Sequence, residues 1–284
     1  MSGVDPNGGG PLLVPGGAAA PPEGTGLTSV TAGEWDTPST LAARVAADAA
    51  ALRAALFPDP AGPFSTTAYL GGDTGAVAPS FAKGTAMVFQ FWKIGPLAGA
   101  TGVLAAHLDA GVTAGWDLGY SSGGNLFVFL KGIASDATIG MVGWNSLANG
   151  LHGLAINFVD DGGATGHLEW ALDGVAQTNI TANGTYVPPT VSTPLLFGRH
   201  PAGTVPALLA DLAAVRAYST ALSAGDLLTA STPSLSIPAV TGTVSFDLDC
   251  ARDFWPGYAT CVTGAATAQW TLTVNGGLTR RIHR

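Results

Sequence analysis

Leu168-Glu169-Trp170-Ala171-Leu172-Asp173-Gly174 places large apolar side chains at every second position and then closes on Asp-Gly. A period of two marks a half-buried strand, and Asp-Gly supplies the positive φ values that a two-residue hairpin turn needs. Further on, Asp211-Leu212-Ala213-Ala214-Val215-Arg216-Ala217-Tyr218 reads as a second strand. It runs into Ser219-Thr220-Ala221-Leu222-Ser223, a Tyr-x-x-x-Leu-Ser corner. Working outward, Thr85 to Lys93 and Val103 to Leu108 read as strands. Trp116 to Tyr120 and Asn125 to Leu130 form a hairpin around Ser121-Ser122-Gly123-Gly124. Leu154 to Val159 and Gly166 to Leu172 form another around Asp160-Asp161-Gly162-Gly163, and Leu195 to Gly198 adds one more strand. Many short strands punctuated by glycine-rich turns predict an all-β sandwich.

The flanks differ in character. Residues 1–36 carry Gly8-Gly9-Gly10-Pro11, Pro15-Gly16-Gly17 and Pro21-Pro22, which forbid helix and break sheet ladders. Such a segment has too little apolar surface to order itself, so it is expected to be either disordered or held on a partner surface as an anchoring arm. Residues 37–57 predict a helix, with Thr37 as N-cap, Pro38 at the first turn and Pro58 beyond the end. Leu41, Val45, Leu52 and Leu56 form its apolar stripe. That stripe suits either a helix lying on the sandwich or an oligomerising one, a trimer being the favoured form. Residues 231–284 read as a C-terminal β extension, with alternation in Thr243 to Cys250 and Gln269 to Val274 and a basic tail, Arg280-Arg281-Ile282-His283-Arg284.

Five short motifs, in order, resemble a laminin-G/concanavalin-like jelly roll over residues 63–230. They are Tyr69-Leu70-Gly71-Gly72, Phe89-Gln90-Phe91-Trp92-Lys93, Leu151-His152-Gly153-Leu154-Ala155-Ile156, Leu196-Phe197-Gly198 and Ala221-Leu222-Ser223-Ala224-Gly225-Asp226-Leu227. Leu151 stands where the family usually has Trp. The resemblance implies a mainly β sandwich used to hold sugars or protein surfaces. It also implies calcium as a possible rim ligand, for which Asp160 and Asp161 match best in composition. Asp-Asp-Gly-Gly is equally an ordinary turn.

Composition narrows the function. Eleven Lys+Arg against nineteen Asp+Glu leave a net charge of -8, without the clustered basic side chains that phosphate backbones require. No apolar run reaches the ~20 residues of a membrane span, and Met1 to Pro6 lacks a secretory n-region and h-region. Cys250 and Cys261, with ten residues between them, suit either a disulfide across a hairpin or two reduced thiols.

Hydrolysis of glycans needs two carboxyls about 5–9.5 Å apart. Glu169 and Asp173 sit about 13 Å apart along a strand, whereas Asp247 and Asp249 sit about 6.6 Å apart on one face. The latter pair reads more simply as a solvent-exposed strand edge, so the chain is expected not to be an enzyme. Gly119-Tyr120-Ser121-Ser122-Gly123 matches a nucleophile elbow, but a strand follows it where the elbow needs a helix.

Sugar binding needs an apolar platform beside fixed hydrogen-bonding groups. Trp116, Asp117, Tyr120, Asn125, Trp144 and Asn145 are the expected ligand contacts, with Trp170 and Asp173 offering the same chemistry. Each aromatic has a competing place in the core. Arm, helix, sandwich and β tail together look like a phage virion component, of tail or capsid. The arm would dock on other virion proteins and the sandwich would meet a host glycan or protein. A bacterial carbohydrate-binding or adhesion protein and a glycan hydrolase are the alternatives.

Overall fold

The computed structural model describes residues 61–62, 64–65, 69–72, 81–95, 102–109, 111–120, 124–133, 139–189, 193–202, 210–253, 260–264, 269–275 and 279–280. The chain divides into Met1–Leu56 and Phe57–Arg284, and all described residues belong to the second unit. The predicted arm and the helix at 37–57 lie outside them.

Seventeen strands are described. They are β1 (Ala61–Gly62), β2 (Tyr69–Gly72), β3 (Thr85–Lys93), β4 (Gly102–Leu108), β5 (Gly115–Tyr120) and β6 (Asn125–Leu130). Then come β7 (Ile139–Gly143), β8 (Gly150–Gly162), β9 (Thr165–Leu172), β10 (Val175–Ala176), β11 (Ile180–Thr181) and β12 (Leu196–Phe197). β13 (Ala210–Tyr218), β14 (Val244–Asp249), β15 (Thr260–Gly264), β16 (Gln269–Asn275) and β17 (Thr279–Arg280) complete the set. Sheet I has the order β10-β9-β8-β3-β13-β1-β17, with β11 also on β9 and β14 also on β13. Sheet II has the order β15-β16-β2-β12-β4-β5-β6-β7. The two antiparallel sheets make a jelly-roll sandwich.

Alternation decides which side chains meet between the sheets. Met87, Phe89 and Phe91 of β3, Leu154, Ile156 and Phe158 of β8, and Leu168, Trp170 and Leu172 of β9 share one core with Leu70, Leu104, Trp116, Leu118, Leu126 and Val128 of sheet II. Each large apolar side chain buried there contributes about 1.5–3 kcal/mol. The β9–β10 hairpin turns on Asp173 and Gly174, whose φ values of 53° and 77° are the left-handed pair anticipated for Asp-Gly.

The outer face of sheet I is paved with small residues, Ala86, Ala155, Ala171 and Ala214 among them. A short helix, Ala224–Ala230, lies on this face through Leu227 and Ala230. Seven residues with two inward apolar positions show no measurable period, so the sequence pattern does not mark this helix. Ser223 caps it, its Oγ accepting from the Asp226 backbone N–H at 3.1 Å. Two wholly buried amides fasten the segment down. Asn157 donates to the Leu222 carbonyl and accepts from the Leu222 N–H, both at 2.9 Å. Gln90 donates to the carbonyls of Ala230 and Thr232 and accepts from the Ser234 N–H, all at 3.0 Å. Gly153 lets this segment approach, since a Cβ there would come within 2.2 Å of the Ser231 carbonyl oxygen.

The sandwich does not end at residue 230. β14 pairs with β13 from Ala214↔Asp249 to Tyr218↔Val244, β16 pairs with β2, and β17 pairs with β1. The strands expected in the C-terminal segment therefore complete both sheets instead of forming an appendage; the edges of β13 and β2 would otherwise be open. β5 and β6 pair as the hairpin expected in place of a nucleophile elbow. Cys250 is buried in the core. Among the described residues no helix is long and apolar enough to cross a membrane.

Candidate functional site

The six expected ligand contacts do not converge. Trp116, Tyr120 and Trp144 are each at most 2% exposed and belong to the core, so none offers a platform to a ligand. Trp116 packs edge-on against Phe81, Phe89 and His107. Trp144 stacks on Phe91, meets Tyr120 edge-on, and donates its indole N–H to the Gly95 carbonyl at 3.1 Å. A sandwich core takes its largest side chains first, and these positions have core parity. Asn125 and Asn145 are exposed, on β6 and in the short turn Trp144–Ser146. Asp117 lies on the opposite face of β5 from Trp116 and Leu118.

Asp160 and Asp161, the expected calcium ligands, are each engaged by a neighbouring side chain. Asp160 lies 3.4 Å from the Lys83 ammonium and accepts from the Gly162 N–H, while Asp161 bonds His167 Nδ1 at 2.7 Å. Lys83 and His167 are thus the side-chain partners of the two carboxylates, and among the described residues no cluster of three or more His, Cys, Asp or Glu is placed to hold a metal. Asp247 and Asp249 are not a solvent-exposed edge either. Asp247 is 9% exposed and bonds Arg216 Nε at 2.8 Å and an Arg252 guanidinium nitrogen at 3.1 Å. Asp249 accepts from the Ala251 N–H and the Ser236 hydroxyl, at the start of the turn Cys250–Asp253.

His152 is 6% exposed and packs against Phe91 from β8. Its Nδ1 is 2.8 Å from Asp173 and its Nε2 is 2.9 Å from the Ala148 carbonyl. Both partners are acceptors, so the ring makes both bonds only as an imidazolium. Burial opposes the charge, but the bonds to Asp173 and Ala148 outweigh it and raise the pKa above its usual value. A raised histidine pKa adds stability that is complete below the unfolded value and disappears as pH rises through the folded one. His152→Gln is therefore expected to remove a loss of thermal stability that the native protein shows as pH rises above about 6.5, measured by melting at a series of pH values. An unchanged pH profile would mean the ring is neutral.

The geometry that does suit a ligand lies at the edge of sheet I. A groove of about 160 Å³ is lined by Glu169, Trp170, Ala176, Gln177, Asn179, Ala224, Leu227 and Leu228. Its walls come from two places: the β9–β11 edge and the helix Ala224–Ala230. The edge is shaped by Trp170, whose carbonyl accepts from the Gln177 N–H and whose indole donates to the Thr178 carbonyl, both at 3.0 Å. Leu227 and Leu228 supply apolar surface, while Gln177 and Asn179 bring amides. Glu169 is held by Asn157 Nδ2 at 3.2 Å and by His167 Nε2 at 3.5 Å. The bond to Asp161 raises the pKa of His167, with burial opposing and Glu169 adding to the rise. The volume is below the ~300–1,000 Å³ of pockets that engulf drug-sized ligands, so a single ring or side group fits. Trp170 lines this groove while its ring belongs to the core between the sheets. The amides Gln177 and Asn179 carried no signal beyond polarity.

No protein-family model matches the chain, and no curated protein matches it. Among solved structures it is similar to the mouse laminin alpha1 chain, domains LG4-5, with a TM-score of 0.40 and 14% identity over 66% of this chain and 47% of that one. It is similar also to a leech intramolecular trans-sialidase (TM-score 0.40, 12% identity, 60% of this chain and 27% of that one). A third is the CBM40 of the Ruminococcus gnavus IT-sialidase (TM-score 0.39, 11% identity, 58% of this chain and 95% of that one). The chain spans less than half the length of the first two.

Proposed function

We propose that the chain is a non-enzymatic virion protein, of a phage tail or capsid, that displays a lectin-like sandwich to bind a host-surface glycan. The observation that carries the binding part is the groove at the edge of sheet I, where two leucines lie beside a carboxylate and two amides. A sugar ring presents an apolar face and a rim of hydroxyls, and needs that combination. The engagement of Asp247 and Asp249 in ion pairs and a turn supports a role without hydrolysis. In this reading the arm, residues 1–36, docks on other virion proteins, and the helix at 37–57 joins three copies.

A glycan array with the full chain tests the binding part, and a reducing-end assay tests the absence of turnover. Retention without release of reducing ends is expected. Replacing Gln177 and Asn179 together by Ala should weaken retention about tenfold, the equivalent of one to two hydrogen bonds. Release of reducing ends that disappears in Asp247→Asn would overturn the reading in favour of a hydrolase. The assembly part has its own test. Leu52→Asp in the full chain should turn a trimer into a monomer in light scattering and leave the near-ultraviolet dichroism of the sandwich unchanged. A native chain that is already monomeric and still co-sediments with particles contradicts it.

A further inference from the structure

The groove at the edge of sheet I is one-sided in charge. Of the residues that line it, Glu169 alone is ionisable, and no lysine or arginine is among them. Glu169 alternates with Leu168 and Trp170 of the core, so it stands on the outer face of β9, the face on which the helix Ala224–Ala230 lies. Its side chain is 40% exposed. Asn157 Nδ2 donates to its Oε2 at 3.2 Å, and His167 Nε2 lies 3.5 Å from its Oε1. A carboxylate offers about four lone-pair sites and no donor, so about two remain for a ligand.

The surroundings do not offset that charge. His167 is shared with Asp161, whose Oδ2 is 2.7 Å from Nδ1, so even the imidazolium balances only one of the two carboxylates. Lys83 is committed to the tip of the β8–β9 hairpin. Its ammonium donates to the carbonyls of Gly163 and Thr165 and lies 3.4 Å from Asp160. Asp226, on the helix that forms the other wall, adds a further acid, which accepts from the Ser223 hydroxyl and the Thr241 N–H. Gln177 and Asn179 each bring an amide oxygen, a further acceptor, to the groove. The group that matches this lining is positive and donates only. An ammonium does so, with three donors and no acceptor. An anionic sugar would set its carboxylate against Glu169 with no cation in the lining to receive it.

We propose that the groove selects a sugar carrying a free, protonated amino group, such as glucosamine, and rejects acidic sugars. The proposal rests on the reading of the groove as a glycan site and names the class of sugar that site takes. Glu169 receives the ammonium, the amides of Gln177 and Asn179 take ring hydroxyls, and Leu227 and Leu228 lie against the carbon face of the ring.

The test uses the isotope-labelled full chain at about pH 6, above ordinary carboxylate values and below ordinary amine values. The probes are the methyl glycosides of glucosamine, glucose and glucuronic acid, and Nα-acetyl-lysine amide. Affinity is read from saturable shifts of the Gln177, Asn179 and Leu228 backbone amides. The glucosaminide is expected to bind about tenfold more tightly than the glucoside, as one hydrogen bond to a charged group contributes. The glucuronide should bind more weakly than the glucoside. Glu169→Gln keeps the shape and an acceptor for Asn157, and should bring the three sugars to equal affinity. Salt at about 1 M, where the Debye length is about 3 Å, should narrow the same gap in the native chain without any substitution. Leu228→Trp, which fills the groove, should abolish the shifts for every probe. Equal affinities for the three sugars in the native chain overturn the charge selection and leave the glycan reading standing. Silence from all three overturns both. Saturation by the lysine amide with the sugars silent also overturns both, and makes the groove a site for a protein side chain.

Discussion

Asn157→Ala is expected to lower the unfolding free energy by about 3 kcal/mol and the melting temperature by about 6–12 °C. Asn157 is the only polar side chain in the run Leu154 to Val159, and it is wholly buried. It makes a reciprocal pair with the Leu222 backbone at 2.9 Å and a third bond, at 3.2 Å, to Glu169. Truncation leaves the Leu222 N–H and carbonyl buried without partners, and such groups cost about 1–3 kcal/mol apiece. The damage should concentrate where the amide acts. The corner at Ser219 to Ser223 and the helix Ala224–Ala230 should become the first segment open to proteases. Because that helix forms one wall of the groove, glycan retention should fall along with stability. Loss of less than about 1 kcal/mol would mean that Leu222, Leu227 and Ala230 hold the segment by packing alone.

Asp117→Asn is expected to do the reverse, raising stability near pH 8 by on the order of 4 kcal/mol and flattening its pH dependence. Burial pushes the Asp117 carboxyl up to about 7 from an ordinary value of 3.8, and it lowers the pKa of the neighbouring His200. Each shift disfavours a charge on the two groups, which face each other with His200 Nε2 3.7 Å from Asp117 Oδ2, and the carboxyl stays mostly neutral below about pH 7. In the unfolded chain the carboxyl loses its proton near pH 4; in the folded chain it keeps it to about pH 7. Between these values the folded state binds the extra proton. Stability therefore falls as pH rises through the window and is lowest above it. Three units at about 1.36 kcal/mol each set the size. An amide cannot ionise and fits the same space. Melting curves from pH 4 to pH 8 should show the native protein losing stability across the window relative to the variant. Parallel curves would mean that Asp117 ionises in the folded protein at its ordinary pKa.

The strands were legible because alternation is local. Thr85 to Lys93, Asn125 to Leu130 and Ala210 to Tyr218 are strands over the same residues that the pattern marks. The Asp173-Gly174 turn was legible for the same reason. The aromatic platform was misread against a rule the sequence already contained. Trp116, Leu118 and Tyr120 alternate with Asp117 and Gly119, so the aromatics and the acid fall on opposite faces of β5 and cannot share one ligand. Gln90 and Asn157 also left a mark, as lone amides in apolar strands. Their targets, Leu222 and Ala230 to Ser234, lie far along the chain, and periodicity says nothing about them. The groove was illegible in the same way. It exists where residues 169–179 meet residues 224–228, and neither stretch has a motif by itself.

The central claim is that a glycan binds the chain in the groove at the edge of sheet I. The most direct measurement is the backbone amide spectrum of the isotope-labelled full chain, titrated with a glycan retained on the array. Saturable shifts at Trp170, Gln177, Asn179 and Leu228, absent in Leu228→Trp, are the predicted result. Saturable shifts confined to Asn125, Asn145 and the residues around them, with the groove silent, would contradict it.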